Sequence, residues 1–174
     1  MNLREFILEE HSKSHTTAIV NWVGNDKKRF AQLVDVFLDG EYRVTQRASW
    51  PLSLCVERHP ELVLPHLGKL LRNLEKPGLH NAVLRNTMRL LQEIEIPEKY
   101  LGNLVDTCFS FVQKTETPIA VRVFAMTVLV NIVKREPELK REVRELIESL
   151  MEEGSPGIKS RGKKMLAVLA KIKP

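Results

Sequence analysis

The chain of 174 residues is poor in cysteine and aromatics: two cysteines, two tryptophans and an aromatic content of 6%. Cys55 and Cys108 both sit inside apolar stretches, Leu52 to Val56 and Val105 to Val112, so they read as small buried hydrophobes of a reduced compartment rather than as a disulfide or metal pair. No apolar run approaches the roughly 20 residues needed to cross a bilayer. The first ten residues carry Arg4, Glu5, Glu9 and Glu10, which an apolar secretory leader would not tolerate. These features predict a cytoplasmic protein without membrane contact. No catalytic or cofactor motif is found, and no cofactor is expected. The length fits one domain able to bury roughly 70% of the surface of its unfolded chain, without staples.

Acid is missing from one place. Residues 1–153 hold 21 basic and 22 acidic side chains, whereas 154–174 hold Lys159, Arg161, Lys163, Lys164, Lys171 and Lys173 and no acid. The whole net charge of +5 is explained by this terminal segment.

The prolines and glycines are few but periodic. Pro60, Pro97, Pro137 and Pro174 each close a unit of about 37 to 40 residues, and within the units lie Asp39-Gly40, Pro77-Gly78, Thr117-Pro118 and Pro156-Gly157. Each unit therefore reads as helix, turn, helix, proline, the pattern of an α-solenoid. The first helices span about Asp26 to Leu38, Pro60 to Glu75, Glu98 to Lys114 and Glu138 to Glu153, with proline or acid at their starts. The second helices carry apolar stripes at helical spacing. In Val121 to Ile132 the stripe is Val121, Phe124, Ala125, Val128, Leu129 and Ile132. Val44, Ala48, Leu52 and Cys55 repeat it in the first unit, Leu84, Met88, Leu91 and Ile94 in the second, and Ile158, Met165, Leu166 and Leu169 in the last. Pro51 lies inside one of these helices, which predicts a kink or break near Arg47 to Trp50. Leu3 to Glu10 and Lys13 to Val23 read as short helices capping the first unit.

The run Val121, Arg122, Ala125, Leu129, Ile132, its looser copies around Arg47-Ala48, Arg85 and Arg161-Gly162, and an acid before each turn resemble the HEAT-repeat, armadillo-like family. That resemblance implies an all-α fold: a right-handed α-α superhelix of about four helix pairs with a short N-terminal helical cap. The expected organisation is a single domain, 1–174, with the cap at 1–23 and repeats at 24–60, 61–97, 98–137 and 138–174. It also implies a charge ladder between repeats, pairing Asp39, Glu75, Glu116 and Glu153 with Arg47, Arg85, Arg122 and Arg161, the arginines being 38, 37 and 39 residues apart. Such proteins serve mainly as binding scaffolds, which leaves the pathway open.

For function, the family's concave side would be lined by the second helices. Their polar stripe includes Gln46, Arg89, Gln92, Asn131, Lys134 and Lys163, and the basic end adds Lys164 and Lys171. This surface suits an unidentified, acidic protein partner. The alternative is a nucleic-acid binder similar to the HEAT-like DNA glycosylases, contacting its ligand through the basic C-terminal segment, and glycosylase-like activity stands ahead of a small hydrolase or lyase among the enzymatic readings. Trp22 is expected beneath the first unit, and Trp50 either plugs the bend at Pro51 or anchors a partner. His11 and His15 share a helix face at metal-ligand spacing, but a third ligand is missing.

Overall fold

The structure, a computed structural model, describes residues 2–173 apart from Gly40, and the side chain of Asp39 also lies outside the description. The turn expected at Asp39-Gly40, the acid of the first ladder step and the closing Pro174 therefore lie outside the described residues. Among the described residues there are ten α-helices and no strand. They fall into two compact units, Met1–Ile94 and Glu95–Pro174, with two of the expected helix pairs in each.

In the first unit, α1 (Leu3–Glu9) and α2 (Lys13–Val23) precede the first repeat, α3 (Lys27–Asp39) and α4 (Tyr42–Arg58). The second repeat is α5 (Leu67–Leu74) and α6 (Asn81–Leu91). Local chemistry fixes the starts. Ser12 Oγ accepts the His15 amide at 3.1 Å, and Asp26 Oδ1 accepts the amides of Arg29 and Lys28 at 3.0 and 2.8 Å, capping α2 and α3. The Arg29 amide does most to hold the Asp26 carboxyl below its ordinary value of 3.8. A lowered folded pKa means that this cap stabilises the fold at neutral pH and loses its effect as pH falls through that depressed value. Gly24 ends α2 at φ 50, and Gly78 turns the second repeat at φ 69, backbone that a side chain would disfavour.

The core of this unit is built where α3 and α4 meet. Phe30, Leu33, Val34 and Phe37 of α3 and Val44, Ala48, Leu52 and Cys55 of α4 are essentially without solvent contact, and α1 and α2 pack on the same pair through Ile7, Ile19 and Val23. The two N-terminal helices thus cover apolar surface that the repeat alone would leave wet.

Two expectations need correction. Of the kink or break expected near Arg47 to Trp50, the break does not occur: α4 runs unbroken from Tyr42 to Arg58, with Pro51 buried inside it. Proline removes only the amide that would have bonded the Arg47 carbonyl. On either side of it the Ser49 and Ser53 hydroxyls donate to the carbonyls of Gln46 at 2.6 Å and Ser49 at 3.0 Å, and the buried stripe continues through the site. Conversely, the single helix expected over Pro60 to Glu75 is two 3₁₀ turns, Pro60–Leu62 and Leu64–His66, before an eight-residue α5. Pro65, four residues after Glu61, offers no amide to continue an α ladder there.

The second unit holds α7 (Leu101–Gln113) and α8 (Ile119–Val133), then α9 (Lys140–Glu152) and α10 (Pro156–Lys171). Short 3₁₀ turns at Glu98–Tyr100 and Pro137–Leu139 lead into α7 and α9. Helix α8 is the hub, packed by α7, α9 and α10. Its buried residues are Val121, Ala125, Val128, Leu129 and Ile132 of the expected stripe, together with Met126, Val130 and Val133 outside it, while Phe124 is only half-buried. A helix covered on several sides has no single core face, so one stripe understates it.

Candidate interaction surface

The cations divide into those that hold helices together and those left to solvent. Arg47 Nη1 donates to the Leu8 carbonyl in the last turn of α1 at 2.6 Å, and Arg122 Nε donates to the Val112 carbonyl in the last turn of α7 at 3.0 Å. Arg29 does the same for the Trp22 carbonyl near the end of α2 at 2.7 Å. Lys140 reaches the Ile172 carbonyl just beyond α10, and Arg135 reaches the Ile96 carbonyl with Glu95 at 3.7 Å. The last carbonyls of a helix have no intrahelical donor and carry the negative end of its dipole, so a cation is the natural partner.

The expected ladder takes this different form. Arg47 and Arg122 bond main-chain carbonyls, Arg161 donates to Thr127 Oγ1 at 2.6 Å, and Arg85 is exposed with no hydrogen bond or ion pair to a described residue. Glu75, Glu116 and Glu153 are exposed, and none forms an ion pair with a described residue. Replacing Arg122 by glutamine should cost about 1–2 kcal/mol, as expected for loss of a part-buried charged donor, and chemical denaturation should register it.

The polar stripe is partly engaged within each unit. In the first, Gln46 is exposed, Arg89 lies 4.0 Å from Glu57 across α6 and α4, and Gln92 Nε2 donates to the Arg89 carbonyl at 3.1 Å. In the second, Lys134 donates to Asn131 Oδ1 at 2.9 Å.

Helix α10 is different. Ser155 caps it, and Ile158, Gly162 and Leu169 face the core. At 3.6 residues per turn, Lys159, Lys163, Lys164 and Lys171 fall within an arc of roughly 140° on the opposite side. All four are exposed, with Ser160, Ala167 and Ala170 between them, and none makes an ion pair with a described residue. Lys173 extends the same positive surface beyond the helix end. The absence of acid in the sequence here becomes an uncompensated cationic face.

Groups suited to covalent or metal chemistry are placed otherwise. Burial raises the Cys55 thiol to about 12, against a smaller downward pull from Arg58, and burial also pushes Cys108 up. Neither supplies a thiolate at neutral pH. Iodoacetamide at about pH 8 should leave both unmodified in the folded chain and label both in urea, as read by intact-mass spectrometry. His15 is half-buried, its Nε2 donating to the Phe6 carbonyl at 2.6 Å, while His11 is exposed beside Trp50. Among the described residues no group of three or more histidine, cysteine, aspartate or glutamate side chains is placed to hold a metal. Trp22 is half-buried under the Arg29 guanidinium, 5.1 Å from its ring centre, and Trp50 is half-buried too. No described helix is long and apolar enough to span a membrane.

A family model for the HEAT repeat domain matches residues 3–169. No curated protein and no solved structure gives a significant match.

Proposed function

Because the chain belongs to the HEAT-repeat family, we propose that it is a non-enzymatic scaffold that binds an acidic protein segment, with the second helices of its repeats as the contact surface and α10 as the principal site. The observation that carries this reading is the face of Lys159, Lys163, Lys164 and Lys171, exposed and forming no ion pair with a described residue. Four like charges on one helix face repel one another, and a carboxylate-rich ligand relieves that repulsion while releasing counterions. Arg47 and Arg122 contribute little to such binding, since their guanidinium groups are committed to carbonyls. Gln46 on α4, Arg89 on α6 and Asn131 on α8, with Gln92 and Lys134 just past the ends of α6 and α8, add polar groups within each unit, most of them engaged in the bonds described above.

The test is a titration of a fluorescent Glu/Asp-rich peptide, with duplex DNA run in parallel. Saturable peptide binding is expected, weakening as ionic strength rises through about 0.15 M, where the Debye length is about 8 Å. It should be lost when Lys163, Lys164 and Lys171 are all changed to glutamine. No peptide binding at low salt would defeat the proposal, and so would a clear preference for DNA.

A further inference from the structure

In the second unit α7 and α9 lie side by side, and a chain of three adjoining surface cavities runs between them, of about 530, 380 and 610 Å³, all touching Gln113. Apolar side chains line part of their floor, beside Ser110, Gln113 and Ser149, and are incompletely covered: Val105 and Phe109 of α7, and Leu146 and Leu150 of α9, keep part of their surface in solvent. Their rim is acidic. Asp106 stands on the α7 side and Glu142 on the α9 side, both exposed and without an ion pair to a described residue, and Glu152 and Glu153 border the far end in the same state. Of the two cations on the rim, Lys114 is exposed and Arg122 is held by the Val112 carbonyl.

We propose that this α7/α9 groove docks a cationic amphipathic helix of a partner protein, its apolar side chains seated on Phe109, Leu146 and Leu150 and its lysines or arginines meeting Asp106 and Glu142. The sign of the rim selects the partner's charge, and the part-exposed aromatic and leucine side chains select an apolar face. The cavities are open and strung along a helix pair, a shape for a helix face rather than for an enclosed small molecule. A second copy of this chain matches in charge only. Its basic face on α10 has serine and alanine between the lysines, and Ile158 and Leu169 of that helix are turned to its own core, so the lysine face brings no large apolar side chain to the floor.

The probe is a fluorescent Leu/Lys amphipathic peptide titrated into the full chain by anisotropy, beside a Ser/Lys peptide of equal charge. The Leu/Lys peptide should bind saturably and the Ser/Lys peptide about tenfold or more weaker. Phe109→Ala, and separately Asp106→Lys with Glu142→Lys, should each weaken Leu/Lys binding about tenfold. The charge reversals lie on exposed positions and should leave the circular dichroism spectrum intact. Changing Lys163, Lys164 and Lys171 to glutamine should leave this binding unaltered, which separates it from the acidic-peptide site. Equal binding of the two peptides, or variants that bind like the native chain, would overturn the proposal. Self-association in sedimentation that the charge reversals abolish would overturn it too, by making a second copy the occupant.

Discussion

Phe30→Ala is expected to destabilise the first unit by about 3–5 kcal/mol, the usual range for emptying the site of a buried phenylalanine. Phe30 has no solvent contact, and it sits on α3 where that helix packs against α4, α1 and α2, so no one neighbour can collapse into the space. Both tryptophans, Trp22 and Trp50, belong to this unit, which makes tryptophan fluorescence in urea its own reporter. The fluorescence midpoint should drop sharply for Phe30→Ala. Phe30→Leu, which refills most of the volume, should recover the greater part of the loss. A variant with the native midpoint would show that the α3/α4 contact is not the core of this unit.

The second large effect lies at the turn from α9 to α10. A Cβ on Gly154 would stand 2.5 Å from the Leu150 carbonyl oxygen and 2.6 Å from Cγ2 of Ile158, itself buried. One of these obstacles is main chain, so relief requires moving the end of α9 rather than turning a side chain. Gly154→Ala should therefore cost about 2–4 kcal/mol, read from the far-ultraviolet circular dichroism transition. Gly162 is the informative contrast. A Cβ there would meet Sδ and Cγ of Met151, but these belong to a flexible, half-exposed side chain whose torsions can change, and no main-chain atom stands in the way. Alanine is also a better helix former than glycine, so Gly162→Ala should be much milder than Gly154→Ala.

Where the sequence was informative, the reason is that backbone chemistry is written in residue type. Pro97 and Pro137 fall at the two 3₁₀ turns that open the helices of the second unit, and Pro77-Gly78 falls at a real turn with a positive φ. The acid-free run after Glu153 is visible without any coordinates, and its four lysines on one helix face follow from spacing alone. The ladder was harder to read. An evenly spaced arginine looks as if it needs an acid, yet every residue offers a carbonyl, and the carbonyls of Leu8 and Val112 carry no mark in the sequence. Pro51 does not break its helix for a related reason, since the helix around it is held by contacts from other elements that a local pattern does not contain. The α7/α9 groove was not foreseen at all. Phe109 falls in the apolar stretch Val105 to Val112, and only the incomplete burial of Phe109 and Leu146 beside Asp106 and Glu142 makes them a surface.

The account rests on dividing the cations into two kinds, and paired variants test that division in one experiment. Acidic-peptide affinity and urea midpoint would be measured for Arg122→Gln and for the glutamine triple variant at Lys163, Lys164 and Lys171. The account predicts that Arg122→Gln lowers the midpoint and keeps the affinity, while the triple variant keeps the midpoint and loses the affinity. The opposite pattern, with stability carried by the lysines and peptide binding by the arginine, would contradict it.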